Sequence, residues 1–390
     1  MKGMFSRRTA WDISESPYAA AVRQARSSDR IAADLTLSNP TECGFDYDAT
    51  SILHALIHAE AMGYDPDPRG ILSARAAVSG YYAAHDAAVS ADNLILTTST
   101  SEAYSYLFRL LCDPGDEVLV PRPSYPLFDF LAGLDNVHLV PYPLFCDHGW
   151  HLDLASLEAH IGERTKAVML VHPNNPTGHF ARDAERAALQ QLCARHGLAL
   201  IVDEVFLDYT IEGLGASFTA GEHSALTFVL SGMSKIAGLP QMKAAWLAVQ
   251  GPTELQREAI ARLEVVADTF LSLGTPTQLA LPVWLKSAKM IQAQIRQRVR
   301  RNLNQLDLLL ETTPEVSRLP VEAGWVVVLR IPAVEDDTAL AIRLLKEAGV
   351  LVHPGSFYGL PEKGWLVASL LPAAPVFEQG IVGLMENLFS

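Results

Sequence analysis

The chain has 390 residues, and 44 Asp and Glu residues against 30 Lys and Arg residues give it a formal net charge of −14. This acidity argues against a nucleic-acid partner, and a content of 49% hydrophobic residues is typical of a chain that folds around a core. The length is sufficient for two domains, or for one large α/β core with additions.

The N-terminal part of the chain lacks the features of a secretion signal. Arg7 and Arg8 are followed by the polar stretch 9–18 rather than by an apolar region. No run of about 18 apolar residues occurs, so we expect no membrane partner and a cytoplasmic location. We expect residues 1–45 to pack on a small C-terminal domain.

The sequence predicts no metal site. The four cysteines lie far apart, without the paired spacing of a zinc site. His54 and His58 are four residues apart, but Ala55 stands where the glutamate of a zinc-protease motif is required.

Residues 93–250 repeat one pattern, in which a short apolar run is followed by a loop and a helical segment. The apolar runs are 94–97, 118–120, 137–140, 167–171, 198–202, 226–230 and 244–249. Helical stretches such as 181–196 separate them, and crossovers of that length favour parallel strands. The pattern predicts an α/β fold with a mostly parallel, seven-stranded sheet in a large domain, 46–285.

The pattern changes after residue 253. Apolar residues at every third or fourth position predict a long helix over 287–310. The apolar runs 325–329, 350–352 and 366–371, with a helical pattern over 340–348, then predict a small α+β domain, 286–390, joined through that helix.

Polar residues collect where the apolar runs end. These residues are 97–102, Ser124-Tyr125, Asn174-Asn175, Asp203 and Ser234-Lys235. In an open α/β sheet, ligands bind outside the carboxyl ends of the strands, so we expect these side chains to form one site. Taken singly, each segment is also compatible with an ordinary turn.

Ser99-Thr100-Ser101-Glu102 has the spacing of a capping box, with Ser99 as N-cap and Glu102 reaching back. A helix that begins just beyond a strand presents free N–H groups to an anion, and the Thr100 and Ser101 hydroxyls add donors. Neither a Walker A motif nor GxGxxG follows this strand, which favours a small phosphate group over a nucleotide. The alternative is a simple helix start.

Asp203 ends an apolar run, where an ionised carboxylate needs a partner, so we expect a cationic group nearby. Lys235 lies in a loop containing Ser231, Ser234 and Gly238, and partial burial would lower its pKa and make it a nucleophile. The alternative for Lys235 is an ordinary surface lysine. Tyr125, flanked by two prolines, is suited to covering a flat ring or to packing.

Together these residues resemble the pyridoxal 5'-phosphate-dependent aminotransferases of classes I and II, the fold type I family that includes aspartate aminotransferase. The most specific segments are Asn174-Asn175-Pro176-Thr177-Gly178, Asp203-Glu204-Val205-Phe206, and Ser234-Lys235 followed by Gly238-Leu239-Pro240. The resemblance covers nearly the whole chain.

The resemblance implies a role for each residue of the predicted site. Lys235 would hold the cofactor as a Schiff base and move a proton, and Asp203 would pair with the pyridine nitrogen. Asn175 would donate to the phenolic oxygen and contact substrate, and Tyr125 would stack on the ring as a third catalytic residue. The phosphate would be bound by Thr100, Ser101 and Ser234, and Ser99, the N-cap, would also belong to the cofactor-binding set.

The resemblance also implies a homodimer with shared active sites. Tyr64, within the segment 63–70, matches a tyrosine that in this family reaches the phosphate from the partner subunit. Asn39 would lie in an N-terminal segment that closes over the substrate. The partners implied are a small-molecule amino donor and a 2-oxo acid.

Three positions depart from the family pattern. Phe206 replaces a tyrosine that bonds the ring oxygen, and Lys243 replaces a phosphate-binding arginine. Val367 occupies the position of the arginine that binds the substrate α-carboxylate, which a valine cannot do. Either another cation, such as Arg122, Arg69 or Lys243, takes this role, or the substrate lacks the carboxylate.

Three functions are compatible with these residues. The first is an aminotransferase that exchanges an amino group between an amino donor and a 2-oxo acid. The second is a lyase or decarboxylase with the same cofactor, because the fold hosts several reactions. The third is a non-catalytic cofactor-binding protein.

Overall fold

The structure is a computed structural model that describes residues 4–64, 66–213, 215–271, 273–332 and 335–388. Parts of the predicted N-terminal segment, of the motif 63–70 and of both predicted domains therefore lie outside the described residues. These are residues 1–3, 65, 214, 272, 333–334 and 389–390.

The strands of the described residues form three sheets. They are β1 (Ala33–Asp34), β2 (Leu94–Thr97), β3 (Glu117–Arg122), β4 (His138–Cys146), β5 (Trp150–Leu152), β6 (Thr165–Val171), β7 (Ala199–Asp203), β8 (Thr227–Gly232), β9 (Ala245–Gln250), β10 (Ser317–Arg318), β11 (Val326–Arg330), β12 (Val350–Leu351), β13 (His353–Pro354) and β14 (Trp365–Ser369).

Helices cover the large sheet and join it to the C-terminal part of the chain. They are α1 (Pro17–Ser27), α2 (Ala49–His54), α3 (Leu72–Ala83), α4 (Thr100–Leu111), α5 (Phe128–Leu134), α6 (Leu154–Ala159), α7 (Asp183–His196), α8 (Met233–Ile236), α9 (Thr253–Phe270), α10 (Thr275–Leu310), α11 (Asp337–Ala348) and α12 (Ala374–Asn387). Short 3-10 turns occur between them, among them Pro40–Glu42, Pro240–Met242 and Gly355–Tyr358.

The large sheet has the strand order β2-β9-β8-β7-β6-β3-β4-β5. It contains the seven predicted strands, with ends shifted by a few residues, and an eighth, β5, which the sequence analysis did not predict. β5 pairs with the end of β4 in an antiparallel hairpin at the edge. The central pairs β4–β3, β3–β6, β6–β7 and β7–β8 are parallel, which confirms the predicted α/β architecture.

Strand β9 runs antiparallel to both of its neighbours, β2 and β8. The chain between β8 and β9 holds only the one-turn helix α8 and the turn Pro240–Met242. This connection does not cross the sheet, so the chain re-enters from the end at which β8 left it. The segment that carries Lys235 therefore stays at the carboxyl end of β8.

The C-terminal strands form a four-stranded sheet in the order β10-β11-β14-β13, with antiparallel pairing throughout. The N-terminal segment contacts this part of the chain: β1 pairs with β12, and the Tyr18 hydroxyl donates to the Val352 carbonyl over 3.0 Å. The sequence division at residues 45 and 285 stays a prediction.

Helix α10 begins at Thr275 and continues to Leu310, so the predicted helix over 287–310 is its C-terminal two thirds. The boundary predicted between residues 285 and 286 falls inside this helix. Its buried face includes Trp284, Ile295 and Leu306. Residues of this helix, of the large sheet and of the C-terminal sheet belong to one hydrophobic core. The helix therefore joins the two sheets.

No helix in the described ranges is both long and apolar enough to cross a lipid bilayer.

Candidate active site

A cavity of about 510 Å³ lies at the carboxyl ends of β6, β7 and β8. Ten of the predicted residues line it. They are Ser99, Thr100, Ser101, Tyr125, Asn175, Asp203, Phe206, Ser234, Lys235 and Lys243. A larger groove of about 720 Å³ lies at Arg186 and His223, but no predicted site residue lines it. The smaller cavity is therefore where the sequence pattern and the tertiary structure agree.

Lys235 lies in α8, directly after β8, and its side chain is half-buried. Among the described residues its Nζ has no hydrogen bond or ion pair, and it lies 5.5 Å from the centre of the Phe206 ring and 5.1 Å from that of Trp325. Burial lowers the pKa of Lys235, while the negative charge of Asp203 acts in the opposite direction. The amine is thus uncommitted and partly withdrawn from water, which an ordinary surface lysine is not.

Asp203 is the last residue of β7 and is 7% exposed. Its Oδ2 accepts from the Tyr104 hydroxyl over 3.0 Å, and its Oδ1 accepts from the Val205 N–H over 3.1 Å. Burial raises the pKa of Asp203 to about 6, and these two hydrogen bonds and the charge of Lys235 oppose that rise. The cation expected near Asp203 is Lys235, which acts on the carboxylate by charge attraction at a distance rather than by a hydrogen bond. The groups that bond the carboxylate directly are neutral.

Helix α4 begins at Thr100, with Ser99 as its N-cap, as predicted. The Ser99 Oγ accepts from the Glu102 N–H over 3.1 Å. Glu102 reaches back one residue further than the cap, because its Oε2 accepts from the Thr98 N–H at 2.6 Å. The side chains that follow the cap are left free to bind a ligand.

Four hydrogen-bond donors surround this helix start without an acceptor among the described residues. They are the Thr100, Ser101 and Ser234 hydroxyls and the Lys243 ammonium group. The first N–H groups of a helix also lack intrahelical acceptors. Uncommitted donors and one positive charge at a helix N-terminus suit a phosphate dianion.

The segment 174–178 turns tightly at the end of β6. Asn174 Nδ2 donates to the Pro123 carbonyl and to Thr177 Oγ1, whereas the buried Asn175 Oδ1 has no partner among the described residues. Gly178 has φ of 70°, and a Cβ there would lie 2.4 Å from the Ala323 carbonyl oxygen. The glycine allows this segment to contact the chain just before β11.

Aromatic rings form much of the cavity wall. Phe206 and Trp325 meet edge to face at 5.2 Å between ring centres, next to Lys235. Tyr125 lines the cavity and contacts the Phe128 ring at 5.9 Å. Burial raises the pKa of Tyr125, with a smaller contribution from the charge of Asp203. Its hydroxyl is therefore a neutral donor at physiological pH.

Five residues complete the site without having been predicted from the sequence: Tyr104, Ser38, Trp325, His353 and Tyr358. The last four line the cavity, and Tyr104 bonds Asp203. Tyr104 was detectable, since it lies one turn after Thr100 on the helix predicted to begin there. Trp325, His353 and Tyr358 lie far along the chain, and no local pattern distinguishes them from core residues. Ser38 directly precedes the predicted Asn39, and only the fold shows which of the two lines the cavity.

Two predicted residues do not line the cavity. The side chain of Asn39 caps the turn Pro40–Glu42 by accepting from the Thr41 N–H and donating to Glu42, and its neighbour Ser38 lines the cavity instead. Tyr64 is 75% exposed and borders a separate cavity with Leu271. A single chain therefore does not bring Tyr64 to Lys235.

Val367 is 1% exposed in β14, between Val328 of β11 and His353 of β13, and does not line the cavity. Arg122 and Arg69, considered as replacements for the missing arginine, do not line it either. Arg122 bonds Asp129 through Nη2, and Arg69 pairs with Glu264 at 3.1 Å. Of the cations weighed from the sequence, only Lys243 lies at the cavity.

Comparisons with known proteins identify the family of this chain. The family model for aminotransferase class I and II matches residues 49–374, which is more than half of the chain. An alanine aminotransferase of Mycobacterium tuberculosis is 32% identical over 358 residues, covering 87% of this chain and 81% of that protein. A glutamate-pyruvate aminotransferase, AlaA, of Escherichia coli K12 is 26% identical over 344 residues, covering 84% and 83%.

Solved structures show the same fold. An alanine aminotransferase from Pyrococcus furiosus superposes with a TM-score of 0.88 at 22% identity, covering 99% of both chains. An aminotransferase from Escherichia coli gives a TM-score of 0.86 at 24% identity, covering 99% of this chain and 98% of that one. The comparisons do not favour a lyase or decarboxylase. The chain therefore belongs to the class I and II aminotransferases, and it is an enzyme that transfers amino groups.

Proposed function

We propose that the cavity around Lys235 holds pyridoxal 5'-phosphate and exchanges an amino group between an amino donor and a 2-oxo acid. The observation that carries this proposal is the placement of an uncommitted, partly buried amine in one cavity with a buried carboxylate and a cluster of free anion donors. Each of these groups suits a different part of the cofactor.

The donor set fits the cofactor. Thr100, Ser101, Ser234 and Lys243 would hold the phosphate, with Ser99 ordering the helix start. Asp203 would pair with the ring nitrogen, and Lys235 would hold the cofactor through Nζ. Asn175 has amide atoms without partners among the described residues and would contact the ring oxygen and the substrate.

When bound, pyridoxal phosphate supplies an electron-accepting ring that stabilises negative charge at the substrate α carbon. Lys235, with its lowered pKa, would accept the proton from that carbon when the amino donor reacts. It would return a proton to the corresponding carbon when the 2-oxo acid reacts. Asp203 would keep a proton on the ring nitrogen. The rings of Tyr125, Phe206 and Trp325 would exclude water from this proton transfer.

The relatives' names suggest which substrates to test first. Those proteins are described as alanine and glutamate-pyruvate aminotransferases. We propose L-alanine and L-glutamate as donors for a first panel, with pyruvate as the first 2-oxo acid.

We also propose that two chains form a homodimer that shares its sites. Tyr64 borders a cavity with Leu271, which is 64% exposed, and Met62, two residues before it, is 91% exposed. Such a surface is suited to burial against a second chain. Tyr64 would then reach the phosphate of the partner's site.

The test is a single-turnover experiment with purified, cofactor-loaded protein. The visible spectrum of the cofactor is followed after adding each donor, and then after adding the 2-oxo acid. We expect the donor to convert the cofactor to its amine form and the acid to reverse the change. If Lys235→Ala keeps both the spectrum and full reactivity, the site assignment is wrong.

The variant Asp203→Asn provides a second test of the site assignment. We expect this variant to retain bound cofactor and to lose most of its turnover, because a neutral amide does not hold the ring proton. Release of ammonia or carbon dioxide without formation of the amine form would contradict transamination.

A further inference from the structure

Among the described residues, the wall of the cavity formed by the C-terminal sheet contains no arginine. Val367, at the position that the family resemblance assigns to a carboxylate-binding arginine, is buried in β14. Among the described residues that line the cavity, only Lys235 and Lys243 carry an amine or guanidinium group. Both already have roles in the proposed function, so a substrate carboxylate needs another partner.

His353 stands directly beside Val367 in the sheet. The two residues are partners in the antiparallel register of β13 and β14, and side chains of such partners project from the same face. His353 lines the cavity, whereas Val367 does not. The polar group on this face, His353, is therefore displaced by one strand from Val367, the position that the family resemblance assigns to an arginine.

The imidazole of His353 has one nitrogen engaged and one available. Its Nδ1 lies 3.1 Å from the Tyr358 hydroxyl, and its Nε2 has no hydrogen-bond partner among the described residues. If the Tyr358 hydroxyl donates to Nδ1, the proton of the neutral ring is on Nε2. Nε2 is then a donor in both the neutral and the protonated ring.

We propose that His353, oriented by Tyr358, binds the carboxylate of the amino-acid and 2-oxo-acid substrates in place of the missing arginine. This inference rests on the proposed function and adds to it the residue that recognises the substrate's acid group.

Proton uptake should accompany this recognition. Burial lowers the pKa of His353, and the charge of Asp34 opposes the change. The other groups around the ring are the neutral hydroxyl of Tyr358 and the Phe357 ring, while Tyr18 donates its hydroxyl to the adjacent Val352 carbonyl. Lys235 and Lys243 also border the cavity and disfavour a further positive charge, whereas the carboxylate of Asp203, which lines the same cavity, favours one.

A bound carboxylate favours the protonated ring, so binding raises the pKa of His353. Affinity is greatest below the pKa of the free protein. It falls as the pH rises toward the higher pKa of the complex, and between the two values one proton is taken up from solvent.

The probe is 3-phenylpropanoate, a carboxylate that has neither an amino nor an oxo group and whose ring suits the aromatic walls of the cavity. Its binding is compared with that of the neutral amide, 3-phenylpropanamide. Both are titrated calorimetrically into cofactor-loaded protein at pH 6.5 and 8.5, in two buffers of different ionisation enthalpy. We expect the carboxylate to bind more tightly at pH 6.5 with proton uptake, and the amide to show neither effect.

His353→Gln keeps a hydrogen-bond donor but cannot be protonated. We expect it to bind the carboxylate about tenfold more weakly at pH 6.5, without proton uptake, and to bind the amide as before. Tyr358→Phe should weaken carboxylate binding less. His148→Gln is the control, because His148 is 98% exposed on a hairpin turn and should change nothing.

The inference is wrong if the unchanged protein binds the amide as tightly as the carboxylate, because the site then does not recognise the negative charge of a carboxylate. It is also wrong if proton uptake survives in His353→Gln. The visible cofactor band is recorded in each sample, so its loss identifies a failure of the proposed function and its retention isolates the role of His353.

Discussion

At the scale of single residues, Asp203 shows how a carboxylate is kept buried. Neutral donors, the Tyr104 hydroxyl and the Val205 N–H, satisfy its oxygens, yet burial still raises its pKa to about 6 from an ordinary value of 3.8. A group whose pKa is raised in the folded state contributes stability below its unfolded pKa and loses that contribution as the pH rises through the folded value. The ionised Asp203 therefore destabilises the protein without cofactor at neutral pH.

Asp203→Asn should accordingly stabilise the cofactor-free protein above pH 6. The interval between 3.8 and about 6 corresponds to about 3 kcal/mol in the free energy of unfolding, and the gain should shrink to about 1 kcal/mol at pH 4.5 and vanish below pH 3.8. Urea unfolding at pH 4.5 and 8 measures this difference. Asp147→Asn, at a position 80% exposed, is the control, and an equal gain for both variants would contradict the assignment.

At the scale of elements, three connections at the carboxyl ends of strands build the site. Helix α4 begins just after β2, the turn 174–178 follows β6, and α8 follows β8. The apolar runs made these strand ends predictable. The return of β9 in the antiparallel direction was not predictable, because it depends on how the chain packs after α8 rather than on any local pattern.

Gly178→Ala should be strongly destabilising because the turn 174–178 touches the chain before β11. The backbone at φ of 70° disfavours alanine, and the added Cβ would lie 2.4 Å from the Ala323 carbonyl oxygen. We expect a loss of about 3 kcal/mol in the free energy of unfolding. Gly197→Ala is a matched control, since φ is 64° and no atom lies within 4 Å of the added Cβ, so only the backbone cost of about 1 kcal/mol remains. Similar losses in the two variants would exclude the contact as the cause.

Lys243→Ala should weaken cofactor binding at the start of α4. Lys243 is the positive charge among the free donors there, and the loss of a charged hydrogen bond corresponds to about a tenfold lower affinity. Equilibrium dialysis measures the affinity for pyridoxal phosphate and for pyridoxal, which lacks the phosphate. A weaker binding of pyridoxal would show that Lys243 does not act on the phosphate.

At the scale of the whole molecule, α10 and the N-terminal segment hold the C-terminal sheet against the large sheet. The pairing of β1 with β12 and the continuous helix from Thr275 to Leu310 place Trp325 and His353 at the cavity. The exposed apolar surface around Tyr64 remains outside this arrangement and supports the proposed dimer.

Mixing two inactive variants tests whether sites are shared between chains. Tyr64→Ala should disable the partner's site and Lys235→Ala its own, so a hybrid dimer should contain one intact site. We expect mixed, refolded chains to show activity that neither variant has, together with dimers in sedimentation velocity. A monomeric protein, or mixtures no more active than the separate variants, would contradict shared sites.

The sequence by itself determined seven of the eight strands of the large sheet and the polar groups that follow them, because apolar periodicity and turn residues act over a few positions. It also identified Lys235, Asp203 and the start of α4 as parts of one site, since the carboxyl ends of parallel strands meet at one edge of a sheet.

Only the tertiary structure decided which distant residues complete that site. Tyr104 reaches Asp203 from 99 positions away, Trp325 lies against Lys235, and the register of β13 and β14 puts His353 beside Val367. These contacts depend on strand order, register and the packing of α10, and no local stretch of sequence encodes them. The replacement of the arginine by Val367 could be read from the sequence. The position of His353 beside Val367 could be read only from the folded sheet.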